Sequence, residues 1–196
     1  MIDLHSRRPT TTTPDLRPTT YLSMPTKTDL PVAEPGPQTW GEVHANQRVM
    51  RYRHSGAGPA VMLLGADVAG HSSDLWPELP GLLQAHFRVV IPQLPHNIDD
   101  VALSLQCLLD GVGASGIGLI AGGPYCYPAT ELALGPNGSE YISRLILVGD
   151  NNTGEHPTDF ASSDALSVPL LVLSRRMSVA KAMSAALPFL KAIVKR

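Results

Sequence analysis

The 196-residue sequence has little of several things, and each shortage excludes a class of protein. It has two cysteines, Cys107 and Cys126, both in apolar segments. Two are too few for a disulfide framework or a Cys-based zinc site, and they fit a reducing cytoplasm, the compartment expected here. Aromatic residues make up 5% of the chain, and charged residues 16% with a net charge of −2. No basic surplus points to nucleic acid, and no Lys/Arg-rich amphipathic stretch points to a membrane surface. No apolar run reaches the roughly 18 residues that a membrane span needs. The first residues, Met1-Ile-Asp-Leu-His-Ser-Arg-Arg8, lack the apolar core of a secretory signal. No H-x-x-x-H pair and no clustered His/Asp pattern predicts a metal site, so no metal and no cofactor is expected. What remains is a chain that is 43% hydrophobic, with a mean hydropathy of +0.03, long enough for one domain with a real core and a tail.

The tail comes first. Residues 1–38 carry Thr10 to Thr13 and seven prolines, with few large apolar side chains. Such a segment cannot bury enough surface to offset about 1–2 kcal/mol of backbone entropy per residue. It reads as a disordered or extended arm, with partner binding or strand exchange as its candidate uses. Residues 39–196 read as the folded domain.

In that domain, residues 42–45 and 48–53 flank Asn46-Gln47 and predict an antiparallel hairpin. Four largely apolar runs follow, at 60–65, 87–92, 117–122 and 143–149, and a fifth at 168–173, interrupted only by Arg88, Ser143 and Arg144. Continuous apolar runs of this length suit strands covered on both faces. Between them, apolar residues recur at helical spacing. Leu75, Trp76, Leu79, Leu82 and Leu83 predict a helix over 73–84, with Ser73 or Asp74 as its cap. Pro77 and Pro80 fit only its first turns. Ile98, Val101, Leu105, Leu108 and Leu109 predict a second helix, capped by Asn97, with Asp99 and Asp100 in its first turn and Gly111 or Gly113 ending it. A third is expected over 127–134, stopped by Gly135-Pro136, and a last over 179–194 with Lys181 and Lys191 on its polar side. Strands alternating with helices predict an α/β fold, a mostly parallel sheet covered by helices on both faces.

The stretch from Ile117 to Ala133 reads as buried strand, sharp Gly122-Gly123 turn, and helix with small residues at Ala129 and Ala133. Together with the antiparallel start, Gly58-Pro59 before an apolar strand and Leu75-Trp76 closing a loop, this order of features resembles the α/β-hydrolase superfamily over about residues 40–193. The resemblance implies that fold without a lid domain, because 150–167 is too short for one, and without the family's last strand. It also implies a nucleophile at the tip of the turn. Here the tip is Gly123, which cannot attack, and Pro124 has no N–H to donate to an oxyanion. Tyr125 stands where a small residue is usual, Gly65-Ala66 replaces the usual His-Gly, and Ser174-Arg-Arg-Met177 contains no acid. A Ser-His-Asp hydrolase is therefore excluded.

The crevice at the C-terminal ends of parallel strands is the default ligand site of such a sheet. Candidate acid–base residues there are Asp67, His71, Tyr125 and Asp150, with Gly123, Cys126, Gln93 and His96 as substrate-binding candidates. An Asp or His beside a Tyr hydroxyl could serve a cyclase, isomerase or lyase acting on a small organic molecule. Each residue also has a plain structural reading. Asp67 and Asp150 can tether loops, His71 and His96 can be exposed loop residues, Cys126 can be core, and Tyr125 and Tyr127 can fill space left by a lost site. Gly111-Val-Gly-Ala-Ser-Gly116 spells G-x-G-x-x-G, but it leaves a helix and enters a strand, the wrong order for a dinucleotide site. Two functions thus stand side by side, a non-hydrolytic enzyme with a small-molecule ligand and a pseudoenzyme serving as a binding subunit. With the strand at 168–173 expected near a sheet edge, a homodimer is the expected assembly.

Overall fold

Buried strands need apolar side chains on both faces, and the parallel strands of this chain have them. The computed structural model describes residues 39–45, 48–65, 75–94, 100–149 and 166–192. The arm at 1–38 lies outside the described residues. Seven strands form one sheet: β1 (Thr39–Ala45), β2 (Arg48–Ser55), β3 (Ala60–Leu64), β4 (Arg88–Pro92), β5 (Ile117–Gly122), β6 (Ile142–Gly149) and β7 (Leu170–Ser174). Their order is β1-β2-β4-β3-β5-β6-β7. The β1–β2 and β2–β4 pairs are antiparallel, and every pair from β4 through β7 is parallel. Among the described residues the α-helices are α1 (Leu79–Gln84), α2 (Val101–Val112), α3 (Cys126–Leu134), α4 (Gly138–Tyr141) and α5 (Val179–Lys191).

Successive side chains of a strand point to opposite faces, and the core divides accordingly. Met62, Leu64, Leu119, Ala121, Leu145 and Leu147 face one way, against Val101, Leu105, Leu108 and Leu109 of α2 and Ala129, Leu132 and Ala133 of α3. Val61, Leu63, Val89, Ile91, Ile120, Ile146 and Val148 face the other way, against Leu79 and Leu83 of α1 and Ala182, Met183, Ala186 and Leu190 of α5. The result is a three-layer α/β/α arrangement, as the alternating pattern predicts.

Crossover direction and face agree for the three connections whose helices are described. The step from β3 to β4 runs one way along the sheet with α1 on one face. The steps β4 to β5 and β5 to β6 run the other way, with α2 and α3 on the opposite face. Reversing both direction and face preserves one handedness, the right-handed one that twisted strands impose.

Three boundaries differ from the sequence-based expectation. The first helix begins at Leu79 rather than at 73, with Pro80 in its first turn. Proline lacks the N–H that an interior position must donate, so a helix accepts it only at its start. Residues 75–78 instead form a turn, and the Trp76 indole N–H donates to the Met177 carbonyl at 2.9 Å, tying that turn to the segment before α5. Six residues make too short a helix to stand alone. Leu79 and Leu83, 2% and 0% exposed, hold it, each burial contributing about 1.5–3 kcal/mol. Second, Asp100 is the N-cap of α2 rather than a first-turn residue, while Asn97 and Asp99 lie outside the described residues. Third, the four-residue α4 is an addition between α3 and β6. Gly113, at φ +59°, closes α2 in the left-handed conformation that glycine adopts without strain.

Candidate functional site

The sheet reverses direction around β3, whose neighbours are β4 on one side and β5 on the other. The chain leaves β3 leftward to β4 and returns rightward to β5. In open α/β sheets such a switch point opens a crevice at the C-terminal ends of the strands. The turn after β5 stands at that end.

The turn is built as its sequence requires. β5 is buried along its whole length, and Gly122 is still extended at φ −122° and ψ 151°. Gly123 then takes φ +55°. A side chain at that φ costs roughly 1–2 kcal/mol, so glycine relieves the turn of strain. Gly123–Tyr125 form a single 3-10 turn with Pro124 in its first positions, and α3 begins at Cys126. Gly123 and Pro124 are exposed and Tyr125 is half-buried, with its side chain packed against the α2/α3 core.

What this turn can do chemically follows from its atoms. The tip carries no side chain. The next residue offers no N–H. The first side chain reaching back from α3, the Cys126 thiol, points into the sheet instead of the crevice. It donates to the carbonyls of Ala121 at 3.5 Å and Val148 at 3.6 Å, and the residue is buried. Cys126, read as a substrate-binding candidate, is thus a core residue under the turn. Ala129 and Ala133, 0% and 2% exposed, let α3 lie close to the sheet, as their small size predicts.

Gln93 follows β4 and is exposed, its backbone N–H donating to the Arg51 carbonyl at 2.8 Å. Asp67, His71, His96 and Asp150 lie outside the described residues. By chain connectivity, Asp67 and His71 belong to the segment leaving β3, His96 to that leaving β4, and Asp150 follows Gly149 at the end of β6. Of the eight candidates, the structure therefore places Gly123, Tyr125 and Cys126 together at the turn, and Gln93 at the end of β4.

Sequence reasoning did not single out a polar cluster on the outer side of the helices. Tyr141 of α4 donates its hydroxyl to the Asp110 carboxylate of α2, and this hydrogen bond pushes the Tyr141 phenol above its ordinary value. A depression of about 230 Å³ lies beside it, lined by Leu103, Gln106, Glu131, Asn137 and Tyr141 among others. Tyr141 and Asp110 are 31 positions apart, and no local pattern links them. Among the described residues, no group of three or more His, Cys, Asp or Glu is placed to hold a metal ion, and no helix is long and apolar enough to cross a membrane.

No known family profile matches the sequence, and no curated protein matches it. Solved structures do. An epoxide hydrolase from Vigna radiata is 20% identical, with a TM-score of 0.46 over 57% of this chain and 40% of that one. A haloalkane dehalogenase loop variant from Bradyrhizobium elkanii is 20% identical, with a TM-score of 0.47 over 57% and 40%. A hydrolase from Pseudomonas aeruginosa is 18% identical, with a TM-score of 0.45 over 57% and 46%. The chain spans less than half the length of each. The strand order and crossovers form a mostly parallel α/β sheet with an antiparallel start.

Proposed function

We propose that this is a non-hydrolytic α/β-hydrolase-fold protein that binds a small organic molecule in the crevice at the sheet's switch point. The observation that carries the reading is the turn Gly123-Pro124-Tyr125. It keeps the position of a nucleophile elbow, but its tip has no nucleophile, its second residue has no N–H, and a tyrosine ring fills the third position. Removing one oxyanion donor typically costs about 10²–10³ in rate, and here the nucleophile is missing as well. What this turn leaves open is proton transfer by groups brought to the crevice. Tyr125 is one, and Asp67, His71 and Asp150 are the others whose chain positions follow the ends of β3 and β6. An acid–base pair of this kind suits cyclisation, isomerisation or elimination without a covalent intermediate.

The half-burial of Tyr125 against the α2/α3 core favours a second reading, in which the ring fills a vacated site and the protein is a pseudoenzyme working as a binding subunit. Native mass spectrometry of the protein purified from its own source separates the two. The first reading predicts a bound small molecule of defined mass whose retention falls in Tyr125→Phe. Protein that is empty of any small molecule in every preparation contradicts it and favours the second.

A further inference from the structure

The crevice lies at the C-terminal ends of the parallel strands, and the opposite end of the sheet carries a corner of polar side chains with no acid among them. His54 on β2 pairs with Val90 of β4, so Arg88, two positions before Val90, stands diagonally from His54 on the same face of the sheet. Side chains in that relation leave the backbone roughly 7–8 Å apart, within reach of one as long as arginine. The face is that of α2, because Tyr52 and Val90 pack into the α2/α3 core. Tyr52, two positions before His54, sets its ring beside the imidazole with 5.8 Å between ring centroids. The same ring lies across Gly41 of β1, where a Cβ would overlap its hydroxyl end. Tyr52 is 6% exposed, and His54 and Arg88 are half-buried.

All three side chains bring donors, and an arginine is a cation at any pH at which proteins fold. Among the described residues none of the three side chains has a hydrogen-bond acceptor or an ion-pair partner. Their neighbours offer no carboxylate. On this face β1 places Thr39, Gly41 and Val43, β3 places Ala60 and β4 places Val90. The end of α2 and the turn after it, 111–116, read Gly-Val-Gly-Ala-Ser-Gly, and Gly111 packs on Val43. Glu42 is on the opposite face, held by Arg51 and His44. The Asp110 carboxylate accepts from Tyr141. The shortage registers in the imidazole, where burial first and the Arg88 charge second hold the pKa below the ordinary 6.5. An uncompensated cation half out of water carries a cost that an anion would remove.

We propose that Arg88 and His54 form a binding site for a phosphate group carried by a small molecule, with the Tyr52 hydroxyl as a further donor on the β1 side. Charge favours phosphate over carboxylate. A phosphate monoester carries about −1.5 to −2 near pH 7 and so matches a guanidinium and an imidazolium together, whereas a carboxylate matches Arg88 alone. The guanidinium fork meets two phosphate oxygens at once, and the imidazolium N–H donates to a third. The anion favours the charged imidazole, so binding takes up a proton at His54. By linkage the same coupling tightens anion binding as the pH falls through the range in which His54 titrates. The site stands apart from the crevice and from whatever binds there.

The test is a nuclear magnetic resonance titration of the full chain, following the His54 imidazole signals in a buffer free of other oxyanions. The probes are inorganic phosphate, sulfate and acetate. Phosphate is expected to shift the His54 signals saturably and to raise the His54 pKa. Acetate is expected to bind about tenfold or more weakly, for want of the His54 contact. Sulfate keeps both its charges across the pH range used, so it isolates the His54 proton. Its affinity should rise as the pH falls, and this dependence should vanish in His54→Gln, read there from the backbone amides of β2 and β4. Arg88→Gln should weaken phosphate about tenfold or more, and Arg88→Lys, which keeps the charge without the fork, should fall between. A His54 titration that phosphate leaves unchanged, acetate bound as tightly as phosphate, or a sulfate affinity that does not rise with falling pH overturns the proposal. Phosphate binding that survives intact in Arg88→Gln marks an adventitious ion only and overturns it too. If Arg88→Gln fails to fold, Arg88→Lys and the wild-type pH dependence decide.

Discussion

The thiol of Cys126 donates to the carbonyl of Val148 across 3.6 Å, joining the first turn of α3 to the C-terminal end of β6. The same sulfur reaches Ala121 at 3.5 Å, so one side chain ties together the neighbouring strands β5 and β6 beneath the Gly123 turn. Both contacts depend on the length of the C–S bond. Cys126→Ala removes a weak donor and is expected to cost about 1 kcal/mol. Cys126→Ser shortens the reach and buries a hydroxyl that meets neither carbonyl well, so it should cost more, about 1–3 kcal/mol. Denaturant unfolding of the two variants checks the ranking; a serine variant as stable as the wild type would contradict it. Cys107 and Cys126 are buried thiols outside any disulfide, so a thiol reagent should label neither in the native state and both after unfolding.

Restoring a hydroxyl at the turn should not restore hydrolysis. Gly123→Ser puts a side chain at φ +55°, with an expected loss of roughly 1–2 kcal/mol in stability. The hydroxyl would still lack the N–H that Pro124 cannot give. Ester hydrolysis by this variant is expected to stay at the level of the wild-type protein. A clear gain in turnover would show that donors from elsewhere complete the site.

Two glycines of similar appearance in the sequence should respond in opposite ways. A Cβ on Gly138, at the start of α4, would overlap the Ala133 carbonyl, which is backbone and cannot step aside. Gly138→Ala is expected to destabilise by about 2 kcal/mol or more, as overpacking does. A Cβ on Gly81, on the exposed side of α1, meets nothing within 4 Å. Gly81→Ala should stabilise by about 0.5–1 kcal/mol, through helix propensity and a less flexible unfolded chain. Thermal melts of the pair read both signs at once.

His54 on β2 contributes a pH dependence with a definite sign. Burial, reinforced by the Arg88 charge, holds its pKa below the ordinary 6.5. Below 6.5 the unfolded chain therefore takes up this proton before the folded one does. The contribution of His54 to stability is complete above pH 6.5 and falls as the pH drops from there toward its folded value. The slope of unfolding free energy against pH on the acid side of 6.5 should flatten in His54→Gln; an unchanged slope would contradict the assignment.

The parts of this fold that were legible are those fixed by burial on both faces. β3, β5 and the 145–149 stretch of β6 are unbroken apolar runs because helices cover them on two sides, and their residues divide cleanly between two cores. The start of α1 was not legible from periodicity, since Leu75 and Trp76 continue the apolar spacing into a turn. Pro77 and Pro80 carried the true boundary. α4 has four residues, fewer than any periodic signal needs. At the site, the conformation of Gly123 followed from its place between a buried strand and a helix with Ala129 and Ala133. The burial of Cys126 also followed from its apolar setting, but its carbonyl partners did not. One of them, Val148, is 22 residues away, and only the assembled sheet brings it near.

The central claim, that this scaffold does not form an acyl-enzyme, is tested most directly by treating the native protein with a fluorophosphonate probe and measuring its intact mass. The turn at Gly123-Pro124 predicts no covalent adduct, with the mass unchanged at 20.9 kDa. Stoichiometric labelling of a single residue would contradict it and would identify a nucleophile elsewhere in the chain.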